Sequence, residues 1–216
     1  MKGFSFLDKA IPTSKPTFTD RMRVWFKWAI DPLASFFNRI GLTPNAMTLL
    51  GLAGNFAGAY FVARGEMTVG GLLMLVSTPF DALDGAMARL RGEANEWGAF
   101  VDSVTDRYGE LAILGGLLYH FAASDDPLSS VVAFAAAAGT VLVSYVKARA
   151  EAVGFEAKVG LLSRVERYLV LAPALVFNQP RLAVWILALF ANFTALQRIY
   201  YVRAQARARF EHAKGE

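Results

Sequence analysis

Four aspartates sit where an apolar chain ordinarily carries no charge. Asp81 and Asp84 lie in Asp81-Ala82-Leu83-Asp84-Gly85-Ala86-Met87-Ala88-Arg89, at the end of one apolar run. Asp102 and Asp106 lie in Gly98-Ala99-Phe100-Val101-Asp102-Ser103-Val104-Thr105-Asp106, at the start of the next. Ionisable groups inside such runs are expensive and mark function. Spacings of three and four put each pair on one helix face. Gly85 and Ala88 continue the first stripe with almost no bulk, and Gly98 precedes the second pair on its face. The polar link over 91–96 is short, so the two helices pack antiparallel and the four carboxylates converge. Crowded, desolvated carboxylates stay ionised only with cations beside them. An all-oxygen ligand set without His or Cys favours hard ions: Mg²⁺, with Mn²⁺ or Ca²⁺ as alternatives. Two ions sharing such ligands are a recurrent device for displacement at phosphorus. A cation or proton transporter also uses intramembrane carboxylates, but places them near the bilayer midplane in broken helices.

The elements that must position these groups are helices. Of the 216 residues 55% are hydrophobic, above the usual soluble fraction, and the mean hydropathy is +0.37. The excess falls in runs long enough to cross a hydrocarbon core. We expect an all-α, polytopic membrane protein with six transmembrane helices over about 46–63, 69–90, 97–121, 128–152, 164–177 and 181–202. An N-terminal amphipathic arm precedes them within residues 1–45, leaving 46–216 as the helical domain. In the arm Phe18, Met22, Trp25, Phe26, Ala29, Leu33 and Phe36 recur at helical spacing among Arg21, Arg23, Lys27 and Arg39, the pattern of a helix lying in the membrane interface. Gly41-Leu42-Thr43-Pro44-Asn45 ends it and starts the next helix. Residues 1–19 lack the apolar core of a cleaved signal peptide.

Charge fixes orientation. Arg89, Arg91, the stretch from Lys147 to Arg167 and the tail with Arg203, Arg207, Arg209 and Lys214 share one side with the arm, while Arg64 and Arg181 lie on the other. The positive-inside rule then puts both termini and the carboxylates on the cytoplasmic side of a cell (inner or plasma) membrane. The net charge of +4 is concentrated at span ends, which points to anionic lipid headgroups and not to nucleic acid. With no cysteine, disulfide scaffolds, thiolate metal sites and cysteine nucleophiles are excluded. Arg207 and Arg209 read as topological flanks.

The run from Asp81 to Asp106 resembles the signature of the CDP-alcohol phosphatidyltransferase family. It matches at Asp81, Asp84, Gly85, Ala88, Arg89, Gly98, Asp102 and Asp106. The resemblance implies transfer of a phosphatidyl group from a CDP-linked lipid such as CDP-diacylglycerol to an alcohol, releasing CMP, in a protein that forms homodimers. It implies two Mg²⁺ ions held by Asp81, Asp84, Asp102 and Asp106, with Mn²⁺ an alternative, and Asp106 as the general base. Gly85, Ala88 and Arg89, with Pro44, Asn45, Ala46 and Met47 and with Asn95, would face the CDP-lipid. Asn95 stands where the family often carries a small hydroxyl residue.

The acceptor alcohol is read from cations. Ser144, Lys147 and Arg149 end the fourth span, Arg167 lies at the start of the fifth and Arg198 in the sixth. Together they could form an anion pocket, arginine offering a fork matched to phosphate oxygens, so the acceptor is expected to bear a phosphate. The runs Lys147-Ala148-Arg149-Ala150-Glu151 and Leu83 to Arg89 are similar to the phosphatidylinositol phosphate synthase branch, which implies inositol 1-phosphate. The 163–167 loop lacks the Glu and Pro usual in that branch. Glycerol 3-phosphate is the alternative.

Overall fold

A computed structural model describes residues 18–214 of the chain. Seven α-helices account for nearly all of them, and no strand occurs among the described residues: α1 (Phe18–Arg39), α2 (Pro44–Ala63), α3 (Met67–Arg91), α4 (Glu96–Ala123), α5 (Pro127–Ala152), α6 (Arg164–Val176) and α7 (Pro180–Lys214). The start of the arm, residues 1–17, lies outside the described residues. α2, α5 and α7, the last within Pro180–Glu211, each contain a stretch long and apolar enough to cross a membrane. α3 and α4 have the length but carry the aspartates and arginines. α6 has 13 residues, about 20 Å at 1.5 Å per residue, which is less than a hydrocarbon core of about 30 Å. The surface is that of a membrane protein: Leu49, Phe56, Leu72, Val76, Val131, Phe134, Leu189 and Phe193 are all exposed, with no aqueous reason to be so.

Small residues set how closely the helices pack. A Cβ on Gly116 of α4 would stand 2.6 Å from the Ala59 carbonyl oxygen of α2, and one on Gly70 of α3 would stand 2.8 Å from the Gly58 carbonyl oxygen. Neither position admits a side chain, so α2 touches both neighbours nearly backbone to backbone, the packing that membrane helices use where hydrophobicity cannot drive association. Beyond this seam Met74, Ile113, Leu117, Leu171, Leu175 and Leu187 form a core shared by α3, α4, α6 and α7.

Local chemistry at the helix ends aligns the two acidic stretches. Gly92 closes α3 with φ +68°, a left-handed conformation that costs glycine little. Three residues later Asn95 caps α4, its Oδ1 accepting the Gly98 N–H at 2.8 Å, in the manner of a side-chain N-cap. The α3–α4 hairpin is therefore tight. α1 docks against it: Ala34 is buried with Met47, Leu83, Ala86 and Met87, Asn38 Nδ2 donates to the Met87 carbonyl at 3.2 Å and Arg91 Nε donates to Asn38 Oδ1 at 2.7 Å. Trp25 and Trp28 stay exposed, so α1 keeps one face on the protein and one off it.

One feature departs from the sequence expectation, and one could not be read from it. α7 does not stop near Val202 but runs on to Lys214. Its Ala, Gln, Arg and Glu residues over 203–211 are strong helix formers, so loss of hydropathy there marks the end of apolar surface and not of the helix. The α5–α6 connection, 153–163, is an ordered non-helical strap laid along α7, with Leu162 N–H donating to Thr194 Oγ1 at 3.2 Å and Arg198 Nε to the Val159 carbonyl at 2.9 Å.

Candidate active site

The hairpin delivers the carboxylates. Asp81, Asp102 and Asp106 each offer an oxygen, and these three atoms lie within 4.8 Å of one another. Asp106 is buried and the other two are half-buried. Gly51 of α2 makes room, since a Cβ there would stand 3.2 Å from Asp81 Oδ1. Asp84 is held separately. It is buried and accepts a hydrogen bond from the hydroxyl of Thr48 on α2, the residue directly after the Pro44–Met47 stretch. Thus α2, α3 and α4 all contribute to the acidic end of the bundle.

The neutralising charge in this structure comes from α6. Arg164 donates to Asp81 and Asp106 with two arms of its guanidinium, while its carbon lies 5.5 Å from the centroid of the Tyr168 ring. Arg107 approaches Asp106 at 3.6 Å. A cation is thus already seated among the oxygens, and Asp106 Oδ1 is buried without a hydrogen-bond donor. A converging, all-oxygen, anionic donor set with one oxygen unsatisfied fits a hard divalent ion.

One turn further along, Glu110 and Arg167 form a buried pair, with Nε–Oε1 at 2.6 Å and Nη2–Oε2 at 2.8 Å. Arg164 and Arg167 thereby clamp α6 onto Asp106 and Glu110, four apart on α4. Sequence reading missed Arg164, Thr48 and Glu110. Glu110 continues the 102–106 stripe by one more turn, and Arg164 shares a helix face with Arg167, so both signals were present.

The expected anion pocket is only partly assembled from open cations. Ser144 and Lys147 are half-buried at the end of α5 and Arg149 is exposed. Lys147 lies 3.9 Å from Glu151. Arg167 is instead bonded to Glu110 and to the Leu162 carbonyl, and Arg198 gives Nη1 to the Val143 carbonyl at 2.6 Å and Nε to the strap. Their donors are engaged inside the protein because buried guanidiniums require acceptors. Of the residues expected to face the CDP-lipid, Arg89 is exposed and folds over Gly85, where a Cβ would meet its Nη1 at 3.3 Å. Asn95 acts as the α4 cap. Pro44, Asn45 and Ala46 form the first turn of α2, capped by Thr43 Oγ1 accepting from the Ala46 N–H at 3.2 Å, and Met47 is buried.

Residues 41–197 match the CDP-alcohol phosphatidyltransferase family. The chain belongs to that family. It is 37% identical over 214 residues to the phosphatidylinositol phosphate synthase of Streptomyces avermitilis, covering 91% of this chain and 87% of that one. It is 38% identical over 191 residues to the Mycobacterium marinum synthase of the same name, covering 83% and 82%. In three dimensions it is similar to Mycobacterium tuberculosis phosphatidylinositol phosphate synthase with CDP-DAG bound, at TM-score 0.75 and 31% identity, covering 80% of this chain and 92% of that one. It is also similar to the same enzyme in complex with manganese and citrate, at TM-score 0.76. The protein is therefore a membrane-embedded transferase whose acidic cluster is of the kind that uses divalent metal.

Proposed function

We propose that this CDP-alcohol phosphatidyltransferase moves the phosphatidyl group of CDP-diacylglycerol onto inositol 1-phosphate, releasing CMP, in phospholipid synthesis. The observation that carries the reading is the convergence of Asp81, Asp102 and Asp106 beside Asp84, at the end of the bundle where α5 and α6 present their cations. Asp81, Asp84, Asp102 and Asp106 would hold two divalent ions, Mg²⁺ or Mn²⁺. When bound, such ions neutralise the diphosphate and stabilise charge at the reacting phosphorus. Asp106 takes the proton of the acceptor hydroxyl, and its buried position one helical turn from Asp102 suits a base that must come within hydrogen-bond reach of that hydroxyl. The acceptor oxygen forms a bond to the phosphorus that carries the lipid. The bond from that phosphorus to the bridging oxygen breaks, and the electron pair leaves with CMP.

The remaining residues bind and orient. Gly85, Ala88 and Arg89 receive the cytidine diphosphate with the first turn of α2, and Asn95 supports them by fixing the hairpin. Ser144, Lys147 and Arg149 receive the acceptor phosphate, joined by Arg164 once cations relieve it of Asp81 and Asp106. Arg167 and Arg198 frame this pocket from behind. Six helices, α2–α7, cross the inner or plasma membrane in this reading, α6 together with the strap that leads into it. Both termini and the site are cytoplasmic, residues 1–45 form the interfacial arm, residues 46–216 form the catalytic domain, and the enzyme works as a homodimer. The deciding experiment is turnover of CDP-diacylglycerol in detergent with inositol 1-phosphate, glycerol 3-phosphate, serine and free inositol side by side. CMP release should be fastest with inositol 1-phosphate. Faster release with glycerol 3-phosphate would reassign the acceptor and keep the anion pocket, whereas preference for serine or free inositol would remove it.

A further inference from the structure

The strap of residues 154–162 is bound to α7 in a regular order. Arg209 Nη2 donates to the Gly154 carbonyl at 2.7 Å, and its guanidinium carbon lies 4.3 Å from the Phe155 ring centroid. Gln205 and Glu156 exchange two hydrogen bonds, Glu156 N–H to Oε1 at 3.2 Å and Nε2 to the Glu156 carbonyl at 2.6 Å. Arg198 then takes the Val159 carbonyl and Thr194 the Leu162 N–H. The α7 residues, spaced by four, seven and four, lie on one helix face, and the strap runs antiparallel to them. The strap dips toward Thr194, which is fully buried. Irregular backbone persists there only where protein supplies its partners. Gly160, at φ +132°, lies so close to Thr194 that a Cβ would stand 2.3 Å from its methyl carbon.

This strap joins the two groups of cations assigned to the acceptor. It leaves the end of α5 five residues after Arg149 and enters α6 at Arg164. A shift of the strap therefore moves Lys147 and Arg149 relative to Arg164. The lower bonds, to Thr194 and Arg198, lie inside the bundle. The upper two, to Gln205 and Arg209, lie on the part of α7 beyond the apolar surface, and they supply the side-chain hydrogen bonds that tie residues 154–156 to that helix.

We propose that Gln205 and Arg209 are positioning residues for the acceptor phosphate: by pinning residues 154–156 to the extension of α7, they fix the distance between the α5 and α6 halves of the phosphate pocket. This rests on the acceptor reading given above. The α7 extension is then a splint for substrate recognition and not a solvated, topological tail. Neither residue touches substrate.

The experiment uses the full chain in detergent and measures kcat, both KM values and Tm for Gln205→Ala, Arg209→Lys and Arg149→Ala. Loss of two part-buried hydrogen bonds in Gln205→Ala should raise the acceptor KM about tenfold, equivalent to about 1.4 kcal/mol, with the CDP-diacylglycerol KM unchanged. Arg209→Lys retains the charge but loses the planar fork that reaches the carbonyl and covers the ring, so it should also raise the acceptor KM; full activity in this variant would overturn the proposal for Arg209 in favour of charge alone. Lower kcat or Tm with both KM values unchanged would make Gln205 merely structural and overturn its assignment. If Arg149→Ala raises the acceptor KM and Gln205→Ala does not, the splint fails while the acceptor pocket stands. If Arg149→Ala leaves it unchanged, the pocket itself fails and the splint with it. Should Gln205→Ala not fold, Phe155→Leu, which removes the ring beneath Arg209 but no backbone group, must raise the acceptor KM for the proposal to survive.

Discussion

Replacing Arg167 with Met separates a framework arginine from a substrate-binding one. Only 2% of the Arg167 side chain and 5% of the Glu110 side chain are exposed, and the two make a forked pair of hydrogen bonds. Truncating one member leaves the other as a buried, uncompensated charge, which costs about 3–5 kcal/mol. For a chain of this size each kcal/mol moves Tm by about 2–4 °C, so Arg167→Met should lower Tm by about 6–20 °C. Glu110→Leu should do similar damage. The double variant should recover most of the loss, because two apolar side chains of suitable volume often replace a buried ion pair at little cost. The assay is thermal unfolding of all four proteins in one detergent, read as a double-mutant cycle, with acceptor KM measured beside it. An Arg167→Met protein of unchanged Tm and raised acceptor KM would refute the argument and put Arg167 on the acceptor.

Three further outcomes are expected, two at the site and one away from it. Removal of divalent ions with EDTA should abolish CMP release and Mg²⁺ or Mn²⁺ should restore it; full activity after thorough removal would end the metal reading. Asp106→Asn should eliminate turnover, by at least 100-fold on the scale of general-base loss, while leaving CDP-lipid binding partly intact, and Asp81→Ala should damage both; near-normal kcat in Asp106→Asn would remove the base assignment. On the opposite face Asp126 caps α5 through Ser129 and meets Arg181 Nε at 2.9 Å. The Ser129 hydrogen bond, aided by Arg181, holds the Asp126 carboxyl below its usual pKa, so its contribution is present above about pH 4 and lost as pH falls below it. Asp126→Asn should therefore abolish the part of the acid-induced drop in Tm that this group causes, and an unchanged acid profile would refute it.

The parts of the structure that sequence made legible are those set by local spacing. Helix positions from α2 to α6 follow the apolar runs to within a few residues, because each run is bounded by a breaker or cap: Pro44, Gly65, Gly92, Asn95 and Pro127. The aspartates were legible because three- and four-residue spacings on neighbouring helices leave little freedom in where they meet. What depended on distant partners was not. Nothing in Arg167 itself separates a phosphate ligand from the partner of Glu110, since both uses need a buried guanidinium. The strap has no period, and its order comes from side chains 32 to 55 residues away. The extension of α7 was hidden because hydropathy measures where lipid ends, not where helix ends.

In the proposed mechanism Arg164 links the two halves of the site through charge. It is seated on Asp81 and Asp106, two of the carboxylates proposed above to hold a divalent ion, and in that reading the guanidinium and the ion compete for the same oxygens. Binding of either must weaken binding of the other by the same factor. A competitor tethered at contact distance is present at high effective concentration, so its removal should matter. Arg164→Met should bind Mn²⁺ more tightly than the unaltered enzyme, by at least about tenfold, the effect of about 1.4 kcal/mol, while its acceptor KM rises. Mn²⁺ titration followed by electron paramagnetic resonance reads the first effect without any turnover. Weaker Mn²⁺ binding in Arg164→Met would mean that the arginine organises the carboxylates for the ion and does not compete for them, and the exchange of Arg164 from carboxylate to acceptor phosphate would have to be abandoned.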